Sequence, residues 1–551
     1  MTNYFYERSN FELFKTNISY YDILKKNSDE FDIWANQLRE EVLSQWDMTD
    51  TPPVIGKTEA NIIKSFKKLK NNNCDFISAD DTISADDSDD ESLGIIKNFN
   101  KDASACNQFF PTMLKTKISV GKSASGGLSI YDHFSLPELK DKFIRTMRRA
   151  IKGDSMYSYS RSIVNKKDEN PFWDGESGYE LIKKIKDDNI LSGKWNDIGI
   201  WIAKVKESNI DNYGTINSAF IGHGNLYLSA QEIIKLKEDG YLTDVMLTNI
   251  TTEIEDEAEL SSGKIQKYFY LIRWFKKSTP VFPKVLQIFR LSCGQPAVNF
   301  PALTAKWIYE YYTNHIPAEE VVNIYDSSSG WGGRILGAMS ARRNIHYIGT
   351  DPNTDNFISE LDISRYEYLA KYYNDKCLND YSESQLTFFE PEIKQNSYEL
   401  FQDGSELIHT NPKFKKYENK LDLAFTSPPY FNREQYSEDE TQSFMAYSEY
   451  DDWRDNFLKP TLTTIYNNLK NDRFILWNIA SIKIGKNTYF DLEGDSKKIL
   501  TELGCEYKGK LKMLMTRMVG LDPSKTGVAN SVKFKDKIYK YEPIFVFYKG
   551  I

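Results

Sequence analysis

Hydrophobic and polar positions alternate with two different textures along the chain. In residues 1–70, aromatic and charged residues recur at helical spacing. The stretch Phe31–Trp46 (FDIWANQLREEVLSQW) reads as an amphipathic helix, and 59–70 as a second helix with a basic end. Leu136–Lys152 (LPELKDKFIRTMRRAIK) has the same period, whereas Tyr268–Phe275 (YFYLIRWF) is apolar enough to be a buried strand or a buried helix. From about residue 285, short apolar runs alternate with helical segments, as in βαβ units. Predicted strands are Val321–Tyr325, His346–Gly349, Leu386–Phe389, Asp422–Phe425 and Arg473–Ile479, with a closing pair at Leu511–Met515 and Glu542–Tyr548. Predicted helices are Pro301–Tyr312, with proline in its favoured first turn, then Arg334–Ala341, Tyr366–Tyr373 and Trp453–Leu469. The expected fold class is α/β: a Rossmann-like sheet in the C-terminal half and a mixed, mainly helical N-terminal region.

Composition adds boundaries to this picture. At 551 residues, two or three domains are expected. The texture suggests an N-terminal helical region (1–74), an acidic flexible linker (75–93), a middle region (94–284) and the α/β domain (285–551). The linker assignment rests on Asp75–Glu91, which carries eight acidic residues, no basic ones and few large apolar groups. No apolar run approaches the roughly 20 residues that span a bilayer, and the N-terminus lacks a signal-peptide pattern. The five cysteines are scattered with no C-x-x-C pair, and the five histidines are dispersed, so neither a disulfide framework nor a metal site is expected. A cytoplasmic protein with no membrane partner follows as the expectation.

Net charge is −9 and the isoelectric point about 5.4, which by itself disfavours a polyanionic partner. Local patches decide nucleic-acid contact, however. Lys142, Arg145, Arg148 and Arg149 cluster on one predicted helix just before Tyr157 and Tyr159, and Lys276 and Lys277 follow the aromatic run at 268–275. Basic residues interleaved with aromatics suit phosphate contact with base stacking; a solvated helix face is the competing reading.

Candidate chemistry concentrates in the α/β half. The strand at Leu421–Phe425 runs into Thr426-Ser427-Pro428-Pro429-Tyr430. Two prolines end a strand, so the chain turns at the sheet's carboxyl edge, where open α/β sheets bind ligands. The turn offers Ser427 and the Pro428 carbonyl as acceptors for an amine, and the Tyr430 ring for a planar base. Upstream, Asp326-Ser-Ser-Ser-Gly-Trp-Gly-Gly333 lies between strand and helix, with Gly330, Gly332 and Gly333 allowing a ligand to approach the backbone. Asp351, one strand later, suits the two hydroxyls of a ribose, and Asp403 and Ser405 could contact an adenine. No phosphate-binding GKS/GKT loop, zinc-protease motif or deaminase motif is present.

Thr426–Tyr430 resembles the catalytic motif of S-adenosylmethionine-dependent amino-methyltransferases that act on adenine N6 or cytosine N4 of DNA, most closely large enzymes of tailed phages and bacteria. Asp326–Gly333 resembles that family's cofactor loop, Asp351 its ribose-binding acid and Phe300-Pro301 its upstream cofactor-side segment. One departure is the Ser327–Ser329 run, which replaces the family's usual phenylalanine. The resemblance covers about 285–551. It implies a methyltransferase sheet, S-adenosylmethionine bound by Phe300, Asp326, Ser328, Gly330, Gly332, Asp351, Asp403, Ser405 and Thr426, and catalysis by Ser427, Pro428, Pro429 and Tyr430. It further implies double-stranded DNA as substrate, its target base flipped into the site. The middle region is then expected to recognise DNA, and the choice between adenine and cytosine stays open, as does a homodimer. An RNA or tRNA amino-methyltransferase and a non-catalytic DNA-binding subunit are the competing readings.

Overall fold

The computed structural model describes residues 16–50, 52, 59–79, 91–97, 104–118, 127–151, 156, 159–160, 177–187, 195–206, 219–222, 225–242, 245–248, 259–261, 264–266, 268–282, 284–285, 289, 297–382, 396–432, 434–436, 439–484, 488–517, 530–535 and 537–550. Backbone packing divides the chain into two compact units that do not follow sequence order. One joins Gly56–Tyr131 to Gly294–Ile551; the other joins Ser9–Ile55 to Asp132–Cys293.

The first unit is built on one large sheet. Its strands are β1 (Asp75–Ser78), β2 (Ser92–Lys97), β3 (Val322–Asp326), β4 (Ile345–Thr350), β5 (Ser397–Phe401), β6 (Leu421–Thr426), β7 (Leu469–Asn478), β8 (Cys505–Arg517), β9 (Ser531–Phe534) and β10 (Lys537–Lys549). Their spatial order is β1-β2-β8-β10-β7-β6-β3-β4-β5, with β9 on β10. The five strands β5-β4-β3-β6-β7 are parallel, and β10 enters antiparallel between β7 and β8. β6 is buried at all six positions, as a central parallel strand covered on both faces must be.

Side chains alternate between two apolar layers. Ile324, Leu423, Phe425 and Leu476 pack on one face with helices α1 (Glu59–Asn71), α2 (Ala302–Tyr312), α3 (Gly333–Ser340) and α4 (Arg365–Ser382). Tyr325, Ala424, Ile475 and Trp477 pack on the other with α5 (Lys459–Asn468) and α6 (Leu492–Glu502). Helices on both faces of a mainly parallel sheet make this a doubly wound α/β fold, the expected Rossmann-like class. From β3 the chain winds outward through β4 to β5, then returns to β6 on β3's other side. That reversal opens a crevice at the carboxyl ends of β3, β4 and β6.

One sequence expectation needs revision and another lies outside the described residues. The start of the acidic run is a strand rather than a loop, paired with the strand that follows the run, with Asp75 opposite Lys97 and Ser78 opposite Gly94, while residues 80–90 lie outside the described part. The predicted strand Leu386–Phe389 also lies outside it, and the strand beside β4 is Ser397–Phe401, which periodicity did not mark.

In the second unit, residues 198–276 contribute a five-stranded sheet ordered 219–222, 225–228, 268–276, 198–206, 245–248. Tyr268–Lys276 is therefore a strand, paired on both sides, which settles the ambiguity of its apolar run.

Candidate active site

The crevice holds a cavity walled by segments from every part of the switch point. Its floor includes Ser327, Ser328 and Gly330 after β3, and Asp351 after β4. Ser405 and Glu406 after β5, and Ser427, Pro428, Pro429 and Tyr430 after β6, complete the strand-end walls, with Phe300 at the upstream side. Nine of the residues singled out in the sequence thus meet around one space, although they span 131 positions (300 to 430).

Four others do not line it. Asp326 is fully buried, and all its acceptor capacity is taken by protein. Its Oδ1 accepts from the Ser328 N–H (3.2 Å) and the Thr426 hydroxyl (2.8 Å). Its Oδ2 accepts from Arg334 Nε (2.7 Å) and the Tyr347 hydroxyl (2.6 Å). Asp326 therefore ties β3, β4, β6 and α3 together. Burial works against the Arg334 charge, but Asp326, Tyr347 and Tyr309 together outweigh it and hold the guanidinium protonated. Thr426 is likewise spent on Asp326. Asp403 accepts from Asn411 Nδ2 at 2.6 Å and is absent from the cavity wall.

Gly332 is the fourth. Its φ of +77° begins α3, and a Cβ there would lie 2.4 Å from the Phe110 ring. Its neighbour Gly333 would place a Cβ 2.1 Å from the Phe300 carbonyl oxygen. Both glycines are needed for backbone conformation and close protein packing, not for ligand approach as read from the sequence. Gly330, with φ +61°, does face the cavity.

Asp351 contrasts with Asp326. Its carboxylate accepts from the backbone N–H groups of Gly330 (2.9 Å) and Asn353 (3.0 Å), which anchor it while leaving it on the cavity wall. Burial pushes its pKa up to about 6, against those two N–H bonds and the Tyr366 hydroxyl, which favour the charged form. Glu406 is raised by burial as well. Ser327 Oγ, beside this floor, is buried with no hydrogen-bond partner, an orphan that a polar ligand group would satisfy.

On the β6 side, Phe431 anchors the turn beneath Tyr430. Its ring packs against Tyr450, Trp453 and Phe490 at centroid distances of 5.3, 5.7 and 5.0 Å. The helix leading to α5 widens to a π-helical turn at Arg454–Leu458, which brings Phe457 to the wall. Such turns recur at functional sites.

Sequence reasoning missed several wall residues. Asn299 grips the cofactor-loop candidate from both sides, donating to the Trp331 carbonyl (2.5 Å) and accepting from the Gly333 N–H (3.2 Å). Trp331, Glu434, Tyr436, Asn478 and Glu542 also reach the cavity. Asn299 beside Phe300, Trp331 inside the glycine loop, and Glu434 and Tyr436 just past the Ser-Pro-Pro-Tyr turn could have been suspected from the sequence; Asn478 and Glu542 could not.

The basic residues singled out for DNA lie in the second compact unit and divide by what they touch there. Arg148 pairs with Asp32, donates to Ser28 and covers the Phe31 ring at 4.8 Å. Lys276 pairs with Asp197 at 3.7 Å, and Lys277 lies over Tyr21. Arg145 and Arg149 are exposed, and Lys142 is partly buried. Among the described residues no cluster suited to a metal is found, and no helix is long and apolar enough to cross a membrane.

No family model and no curated protein matches the chain. Solved structures with partial likeness include a protein of Thermus thermophilus provisionally described as a DNA modification methylase, in complex with S-adenosylmethionine. It is 17% identical, with a TM-score of 0.18, over 27% of this chain and 53% of that one. The methyltransferase domain of the citrinin polyketide synthase is 11% identical, with a TM-score of 0.25, over 49% of this chain and 57% of that one. A protein of Clostridium thermocellum provisionally described as an rRNA methylase is 11% identical, with a TM-score of 0.22, over 46% of this chain and all of that one. The chain spans about half the length of the first of these. At such scores the likenesses carry no function to this chain, whose site must speak for itself.

Proposed function

We propose that the chain is an S-adenosylmethionine-dependent methyltransferase acting on an exocyclic amine, adenine N6 or cytosine N4, of a base flipped out of double-stranded DNA. The observation that carries this reading is that Asp351, Gly330 and Ser427–Tyr430 line one cavity at the switch point. The residues suit the cofactor. Asp351 would accept from the ribose hydroxyls, the Gly330 backbone leaves room for the nucleoside, and the orphan Ser327 hydroxyl would meet a polar group of the methionyl part. The cofactor, when bound, supplies an electrophilic methyl group on a sulfonium.

The chain's own work is positioning and electrostatics. Ser427 Oγ and the Pro428 carbonyl oxygen would accept hydrogen bonds from the target amine and turn its lone pair toward the methyl group. Tyr430 would stack on the base, and the packing of its neighbour Phe431 on Tyr450, Trp453 and Phe490 holds the turn that carries it. The stiff Pro428-Pro429 turn holds these acceptors in place without help from a bound partner.

The test is transfer of labelled methyl from S-adenosylmethionine to unmethylated genomic DNA, followed by digestion to nucleosides. Label is expected in an adenine or cytosine amine. Ser427→Ala and Tyr430→Ala should each lower the rate on the order of 10²-fold, as for other positioned contacts to a reacting group. Label in RNA and not in DNA would redirect the reading to an RNA amino-methyltransferase. No transfer to either would overturn it.

A further inference from the structure

The segment from Ser104 to Ile118, well before the α/β half begins, is built into both ends of this cavity. At the cofactor end, the Phe110 ring fills the space left by Gly332 and packs on Tyr366 at 5.1 Å. The Thr112 hydroxyl, buried, donates to Asn356 Oδ1 at 3.0 Å. Asn356 Nδ2 and the Tyr366 hydroxyl both donate to the Gly330 carbonyl, the position whose N–H holds Asp351. At the target end, Lys117 and Ile118 form a short antiparallel ladder with Gln435 and Glu434, just past the Ser-Pro-Pro-Tyr turn. Tyr436 closes the circuit by packing on Trp331 of the glycine loop at 5.3 Å.

We propose that residues 104–118 act as a strap that couples the two ends, so that filling the cofactor end orders the loop at 434–436 on the target side. The inference rests on the methyltransferase reading for the identity of the ligand. Its physical basis is entropic. A ligand that immobilises Gly330 also immobilises Asn356, Thr112 and the strap, and a base arriving later at 434–436 meets an already ordered wall. Thr112 and Phe110 are positioning residues in this scheme, since neither lines the cavity.

Hydrogen exchange on the full chain, with and without S-adenosylhomocysteine, tests the coupling, alongside calorimetric affinity. In the unaltered chain the ligand should protect peptides covering 104–118 and 434–436 together. Thr112→Val keeps the shape but leaves Asn356 Oδ1 unsatisfied. It should weaken the ligand about tenfold and abolish the ligand-linked protection at 434–436, while Thr112→Ser restores both. Without ligand, Thr112→Val should also speed exchange at 328–333. Ligand-linked protection at 434–436 that persists in Thr112→Val, or unchanged exchange at 328–333, would overturn the strap. Failure of the unaltered chain to bind S-adenosylhomocysteine would overturn the methyltransferase reading instead, and exchange at 328–333 would still decide the strap.

Discussion

Asp326 and Asp351 end adjacent parallel strands, both behind the same sheet edge, yet the fold uses them in opposite ways. Asp326 is met by four protein donors on two oxygens, one of them a buried guanidinium. Asp351 is anchored by two backbone N–H groups, faces the cavity, and has its pKa pushed up to about 6 by burial. A buried carboxylate with a full set of partners is a structural tie. One with an incomplete set, kept on a cavity wall, is poised for a ligand that supplies the rest. The distinction lies in what the fold brings alongside, including Thr426 from 100 positions away, and not in the residue type.

The sharpest way to break the comparison is Asp326→Ala. It leaves Arg334 buried without its anion and should cost roughly 3–5 kcal/mol in denaturant unfolding. A loss below about 1 kcal/mol would show the tie is not structural.

Asp351→Asn should do the reverse. Charge-assisted contacts to the cofactor are lost, so S-adenosylhomocysteine affinity should fall by about 1.5–3 kcal/mol in calorimetry, while the unliganded chain loses far less stability at neutral pH than Asp326→Ala does. The second half follows from the sign of the shift. Because the folded pKa of Asp351 lies above its unfolded value, the stability it contributes is full below about pH 4 and is lost as pH rises through about 6. Removing the charge at neutral pH therefore offsets part of the cost of the one backbone N–H, Gly330 or Asn353, that Asn cannot accept from.

The smallest expected effect is on the pH dependence of binding. If the ionised Asp351 accepts the ribose hydroxyls, cofactor affinity should be constant above about pH 6 and decline below it, by at most about tenfold per unit. Asp351→Asn should flatten the profile. A flat profile in the unaltered chain would show that the carboxylate is not the group engaged.

Much of this site was legible in the chain. A double proline ends a strand wherever it occurs, a glycine run between strand and helix makes a tight turn, and an acid one strand later falls at the same sheet edge. Those local rules located Ser427–Tyr430, Gly330 and Asp351 without coordinates, because βαβ winding brings successive strand ends to one edge. The same rules gave Gly332 the wrong reason for being glycine, since what crowds it is Phe110, from a distant part of the chain. They also assigned Asp326 to the ligand, since its donors Thr426, Tyr347 and Arg334 arrive from three other elements.

What the amino-acid order determined by itself was the period of each element, the turn chemistry between them and hence the α/β class with its ligand edge. Only the tertiary structure decided which polar groups are already satisfied and which wait for a ligand, and that residues 104–118, far off in the chain, pack behind the site wall. The physical reason is that backbone preferences are set within a few residues, whereas hydrogen-bond satisfaction and steric room depend on whatever the folded chain brings alongside.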